Sequence, residues 1–240
     1  MKNILPILLV SVILYGCSEN NVPIHELTFK EKEASPIVFY YEEKPFNGIG
    51  FTLHRNLEIK YEQKFKNGIK IGFSKEWYED GQFKREVKYK KGLKNGLFRS
   101  WYENGQLKDK GNYYEGELDG VYKGYYESGQ LEYEINYKNG KTDGLAKGWY
   151  ENGQLRYESM SKNGVLNGLT KTWYESGQLR TEGNKKDGED DGLCKVWYED
   201  AQLKIRGNYK NGKANGLCEG WYPDGKLNYK ANFKDGERID

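Results

Sequence analysis

The sequence predicts an all-β fold: an elongated antiparallel β-meander built from eight 24-residue β-hairpin repeats over 48–239. Three observations carry this expectation. Glycines recur every 24 residues in two unbroken phases, one from Gly48 to Gly216 and one from Gly68 to Gly236. All six tryptophans share a third phase, Trp77, Trp101, Trp149, Trp173, Trp197 and Trp221, with Tyr125 in the remaining slot. Aromatic residues reach 15% although charged residues make up 31% and the mean hydropathy is -0.96. Disordered chains of such polarity are poor in aromatics, whereas Tyr and Trp suit pleated, half-buried strands. A thin, solvent-rich β structure without a deep core satisfies both facts.

Taken in chain order, residues 1–16 read as a lipoprotein signal peptide. Lys2 precedes an apolar stretch, Ile4 to Leu14, that is too short to span a bilayer. Leu14-Tyr15-Gly16-Cys17 resembles a bacterial lipobox, in which Cys17 is acylated and becomes the mature N-terminus. Acyl chains would hold the protein on a membrane without a spanning helix. Ser18 resembles the residue found in lipoproteins that proceed to the outer membrane. Segment 17–33 then serves as a tether. Ile37, Phe39 and Tyr41 alternate like a repeat's second strand, so 34–47 reads as a degenerate capping half-repeat.

Within each repeat, Asn-Gly or a relative of it marks the centre, as at Asn104-Gly105, Asn152-Gly153 and Asp224-Gly225. Between alternating apolar residues this dipeptide signals a two-residue type I′ hairpin, because both turn positions need positive φ. A second glycine stretch, such as Lys138-Asn139-Gly140-Lys141, returns the chain by a looser turn. Asp200-Ala201 departs from the pattern, and Ala resists positive φ, so that hairpin is expected to be the least regular. A two-residue turn sets the register: Tyr150 faces Leu155 and Gly148 faces Tyr157, while on the other face Trp149 meets Arg156 and Lys147 meets Glu158. The Lys–Glu pairing recurs as Lys75–Glu86, Lys123–Glu134 and Lys171–Glu182; Arg99–Lys110 and Lys195–Arg206 break it with like charges. Cys194 and Cys218 lie one period apart, about 9–10 Å across two strands, too far for a disulfide.

The segments Trp101-Tyr102-Glu103-Asn104-Gly105-Gln106-Leu107, Asn208-Tyr209-Lys210-Asn211-Gly212-Lys213 and Asn215-Gly216-Leu217 together resemble the bacterial variant of the MORN repeat, often catalogued with the YwqK-type antitoxin proteins. The resemblance covers 48–239 and implies an elongated antiparallel β array used in binding or scaffolding. Departures from it are Leu53-His54 in place of Trp-Tyr, Ala201, and Ser161 and Lys185 where Tyr or Phe is usual.

The chemistry is that of a binding protein. The two histidines, His25 and His54, lie in the tether and the first repeat, and no zinc, Walker or nucleophile-elbow motif occurs, so no catalytic residue, metal ligand or cofactor is expected. The acidic run Asp187 to Asp191 matches no calcium-loop spacing and reads as a solvated turn. Net charge is +2 with no run of one sign, which gives no support to a nucleic-acid partner. Trp77, Trp101, Tyr125, Trp149, Trp173, Trp197 and Trp221 form the candidate binding row, bordered by Lys and Arg; packing between repeats is the competing role for each ring. The expected function is a non-enzymatic, envelope-anchored repeat lipoprotein that binds a protein, glycan or lipid through this face. The alternative is an antitoxin or immunity protein that sequesters a toxin.

Overall fold

The computed structural model describes residues 20–30 and 37–240. The expected leader and the acylated Cys17 lie outside the described residues. The chain divides into two compact units, Met1–Gly105 with Tyr113–Gly116, and Gln106–Asn112 with Glu117–Asp240. In the first, β5 (Gly48–Leu53), β6 (Ile59–Lys66), β7 (Ile69–Trp77), β8 (Phe83–Lys90) and β9 (Leu93–Trp101) pair antiparallel in sequence order, preceded by β1 (Asn20–Pro23), β2 (Thr28–Lys30), β3 (Val38–Tyr41) and β4 (Lys44–Pro45). β10 (Leu107–Tyr114) begins in the second unit and ends in the first. The second continues as β11 (Glu117–Leu118), β12 (Gly120–Tyr125), β13 (Leu131–Lys138), β14 (Lys141–Trp149), β15 (Leu155–Lys162), β16 (Val165–Trp173) and β17 (Leu179–Lys186). It ends with β18 (Glu189–Asp190), β19 (Gly192–Trp197), β20 (Leu203–Lys210), β21 (Lys213–Trp221), β22 (Leu227–Lys234) and β23 (Glu237–Arg238). Each unit is thus an antiparallel meander of repeated hairpins, as the glycine and tryptophan phases require.

The two turns of each repeat exchange the roles the sequence assigned them. At the central Asn152-Gly153 only Gly153 has positive φ (85°). Its N–H donates to Tyr150 O at 2.9 Å, and Tyr150 N–H donates to Gln154 O at 2.8 Å. This is a three-residue loop, a type I turn closed by a left-handed residue. The return turn is the two-residue type I′ one: Asn139 and Gly140 have φ of 49° and 72°, and Lys138 pairs directly with Lys141.

Register follows from these turns. Gly148 pairs with Tyr157 and Lys147 with Glu158, as expected. Trp149, however, pairs with Leu155 rather than Arg156, because the ladder passes from Leu155 to Tyr157 and leaves Arg156 bulged; Tyr150 belongs to the turn. Near the return turn Asn136 is left facing three residues, Asp143-Gly144-Leu145, and its Nδ2 donates to Leu145 O at 2.7 Å.

Ala201 also overturns its expectation. It adopts φ 71°, and its N–H donates to Tyr198 O at 3.1 Å, so the hairpin has the geometry of its neighbours. Hydrogen bonds on both sides of the turn hold the alanine in the left-handed region, a conformation that costs an L-residue about 1–2 kcal/mol. Ala201→Gly is therefore expected to stabilise the protein by about 1 kcal/mol, read as a higher urea midpoint. An unchanged midpoint would show that the strain is relieved elsewhere.

Repeats are tied together by bonds with a fixed sequence offset. Tyr126, Tyr150, Tyr174 and Tyr198 each donate their hydroxyl to the carbonyl of the next repeat's tryptophan, Trp149, Trp173, Trp197 and Trp221, at 2.7–2.9 Å. In the first repeat His54 stands where Tyr is usual, and its Nε2 meets Trp77 O at 3.0 Å, so the exchange keeps the bond. Each return-turn glycine repeats the device on the other edge: Gly140, Gly164, Gly188 and Gly212 donate to carbonyls 22 residues earlier, at 2.8–3.0 Å.

The core is small. Val22, Leu27, Phe46 and Phe65 form its one buried cluster among the described residues, with Phe39 and Tyr41 packed against it. Residues 20–30, assigned to the tether from sequence, are therefore structured: β1 runs parallel to β5, and β2 pairs with β3. Burial of Val22 (5% exposed) and Leu27 (8%) is the physical reason.

Candidate functional site

The seven ring residues end the strand before each central turn, and all are partly exposed. Trp77 and Trp101 lie in the first unit, the other five in the second. Cross-strand partners are apolar: Tyr125 with Leu131, Trp149 with Leu155, Trp173 with Leu179, Trp197 with Leu203 and Trp221 with Leu227. In the first unit the partner of Trp77 is Phe83, stacked at 5.5 Å between centroids, and Phe83 meets Trp101 at 5.7 Å. Phe83 joins the row as a contributor that the tryptophan phase alone did not mark; the signal was an aromatic where the other repeats carry Leu or, in the first, Ile59.

Cations border the row by an arrangement the sequence did not disclose. In four hairpins the bulged position carries Lys84, Arg156, Arg180 or Lys204, where two others have Glu132 and Asn228. Three of these cations lie over the turn tyrosines: Lys84 over Tyr78 at 5.6 Å, Arg180 over Tyr174 at 5.5 Å and Lys204 over Tyr198 at 5.2 Å. Bulging is what turns these cations toward the rings.

Beside the rings runs a charge ladder, one residue per strand. In the second unit it reads Lys123, Glu134, Lys147, Glu158, Lys171, Glu182, Lys195, Arg206, Glu219 and Lys230. Lys147 Nζ lies 2.9 Å from Glu158, and Lys171 Nζ 2.8 Å from Glu182. Such exposed pairs each contribute about 0.2–1 kcal/mol. The like-charged Lys195–Arg206 pair is relieved across the next turn. Arg206 Nε donates to Glu219 Oε2 at 2.6 Å, and its guanidinium covers Trp221 at 5.6 Å.

Lys230 approaches the second Glu219 oxygen at 3.2 Å. The hydrogen bond from Arg206, then that from Lys230, hold the Glu219 carboxyl below its ordinary value. A group with a depressed folded pKa contributes stability above its unfolded pKa and loses it as pH falls through the folded one. Stability is thus expected to decline from about pH 5 downward, and Glu219→Gln should flatten that acid limb in urea midpoints taken across the range. An identical acid limb in the variant would remove Glu219 as its source.

The opposite face carries tyrosines set against glycines. The Tyr133 hydroxyl donates to Asp109 Oδ1 at 2.7 Å, and burial together with that carboxylate raises its pKa. Cys194 and Cys218 are free thiols, in keeping with the strand spacing. Burial, then Asp190, pushes the Cys194 thiol up to about 11, which keeps it protonated and unreactive at neutral pH. Asp190, from the acidic run, pairs with Lys185 at 2.9 Å.

Antiparallel meanders of repeated hairpins, each presenting ordered rows of rings and charges, define a β-hairpin repeat protein. Six segments, 94–113, 118–139, 142–163, 166–187, 190–211 and 214–235, match the MORN repeat variant, together more than half of the chain. The chain belongs to that family. The hairpins of β5 to β8 extend the same plan ahead of the first matched segment. No curated protein matches the chain.

Proposed function

We infer that this MORN-variant protein is a non-enzymatic binding protein of the bacterial cell envelope, held there by a lipid on Cys17. It engages a protein, glycan or lipid partner through the row Trp77, Trp101, Tyr125, Trp149, Trp173, Trp197 and Trp221. One observation carries this: each of these rings is left partly exposed beside a charge ladder. Amphipathic aromatic anchors with a charged rim are the usual composition of interface hot spots. The Tyr–Trp carbonyl bonds fix the backbone at Trp101, Trp149, Trp173, Trp197 and Trp221, which limits the entropy lost on binding. Among the described residues no helix is long and apolar enough to cross a membrane.

Two variants test the proposal in bacteria that process lipoproteins. Fatty-acid label and membrane association should be present in the wild type and lost in Cys17→Ala. Absent wild-type label with cytosolic protein would overturn the anchor and favour the toxin-sequestering alternative. Cross-linked adducts of the envelope protein should disappear in Trp149→Ala/Trp173→Ala while β-type circular dichroism persists. Undiminished adducts would overturn the row as the binding surface, and loss of the fold would assign the rings to packing alone.

A further inference from the structure

We propose that the second unit carries a socket for a phenol ring on the face opposite the tryptophan row, lined by residues of β16 to β20. Two side-chain rows on that face recur every 24 residues. In the second unit one row runs Tyr133, Tyr157, Thr181, Ile205 and Tyr229, and the other Tyr137, Ser161, Lys185, Tyr209 and Phe233. Every hairpin of the unit has a ring at one or both positions except the Thr181–Lys185 hairpin, which has none.

Where the first row keeps its ring, the tyrosine lies flat over a glycine of the facing strand. A Cβ on Gly124, Gly148 or Gly220 would sit 2.1, 2.1 or 2.3 Å from the ring of Tyr133, Tyr157 or Tyr229. Thr181 instead meets Thr172, which stands in the facing glycine's place, with their hydroxyls 2.6 Å apart, and the open space lies beside Lys185 and Tyr209. A cleft of about 300 Å³ is lined there by Thr170, Thr181, Lys185, Asp190, Cys194 and Tyr209. A cavity of about 150 Å³ already admits benzene, so the volume suits one ring with a short substituent. The cleft thus opens where the second row carries Lys185 rather than a ring such as Tyr137 or Tyr209.

Its polar groups select a hydroxylated ring. Thr170 Oγ1 is buried and has no hydrogen-bond partner, an arrangement that costs free energy until a ligand meets it. Lys185 Nζ lies 2.9 Å from Asp190 Oδ1, so neither charge calls for an ionic ligand. A carboxylate beside a phenol also has its counterpart in this fold, where Tyr133 donates to Asp109. The protonated Cys194 donates to Asp190 Oδ1 at 3.7 Å and brings no charge to the cleft.

The full chain should be titrated with 4-methylphenol, N-acetyltyrosinamide and toluene, following backbone amide shifts by NMR. 4-Methylphenol is expected to move the amides of Thr170, Thr181, Lys185, Cys194 and Tyr209 with a dissociation constant in the millimolar range, the scale for so small a ligand. Toluene should bind about tenfold more weakly, one neutral hydrogen bond's worth. Binding of N-acetyltyrosinamide would identify a partner chain's tyrosine as the source of the ring; binding of the free phenol alone would identify a small aromatic. Thr181→Tyr/Lys185→Tyr, which restores both rows, should abolish the shifts. If that variant does not fold, Thr170→Val should erase the preference for 4-methylphenol over toluene. Absent shifts in the wild type, undiminished binding in the refilled variant, or an unchanged preference in Thr170→Val would each overturn the proposal.

Discussion

Phe65→Ala is expected to destabilise the first unit by about 3–5 kcal/mol, the cost of emptying a packed aromatic site. Phe65 is 3% exposed, and its ring meets Phe39 at 5.0 Å and Phe46 at 5.6 Å. Val22 and Leu27 complete the buried cluster and Tyr41 packs against it, so Phe65 sits among side chains from segments far apart in sequence. Backbone ladders hold β1 to β5 and β3 to β2 and β4, but the hairpins themselves contribute almost no deep burial. The loss should appear first as proteolysis within 20–47, while the later hairpins keep their β-type dichroism, because repeats are stabilised mainly by their neighbours. Phe83→Ala is the control: that ring is 43% exposed and should cost far less. Equal urea midpoints for the two variants would show that the cluster is not the unit's core.

Gly148→Thr should cost about 1–3 kcal/mol by overpacking, since a Cβ there lies 2.1 Å from Tyr157 Cε1. The backbone is not the obstacle, because Gly148 is not among the positive-φ glycines. The chain supplies its own compensated version one repeat on, where Thr172 faces Thr181 with their hydroxyls 2.6 Å apart. Gly148→Thr/Tyr157→Thr recreates that pair. The double variant should therefore be more stable than the sum of the single losses by about 1–3 kcal/mol, the coupling expected of residues in contact. Additive losses would mean that tyrosine and glycine are not exchanged as a pair, and would weaken the account of the cleft beside Thr181.

Much of the fold was legible because the repeat averages out local ambiguity. Strand positions, the Gly148–Tyr157 and Lys147–Glu158 register, and the free cysteines all follow from alternation and period. The N-terminal strands were not legible. Val22 and Leu27 stand in a short mixed segment with no period, and β1 acquires its partner only through parallel pairing with β5, a non-local contact. The candidate row was visible as a phase, yet the bulged cations over the tyrosines were not, since a bulge shifts a side chain without altering the sequence pattern. The cleft left a trace in Lys185, a departure from the aromatic phase; its meaning required the neighbouring rings to show what was missing.

Asn152-Gly153 and Asn163-Gly164 separate the two sources of information. The sequence by itself determined the 24-residue period, the alternation of faces and the places where the chain must turn, because glycine, asparagine and aromatic chemistry act locally. It could not say which turn each dipeptide makes. Asn152 donates to Glu175 O in the next repeat at 2.8 Å and accepts from Gln154 N–H at 2.9 Å, which fits the wider loop. Asn163 N–H is held by Asp143 Oδ2 at 3.1 Å, and Gly164 N–H donates to Thr142 O at 2.8 Å, which fits the tight one. The same two residues adopt different turns because their bonding partners lie in adjacent repeats, and only the folded stack brings those partners within reach.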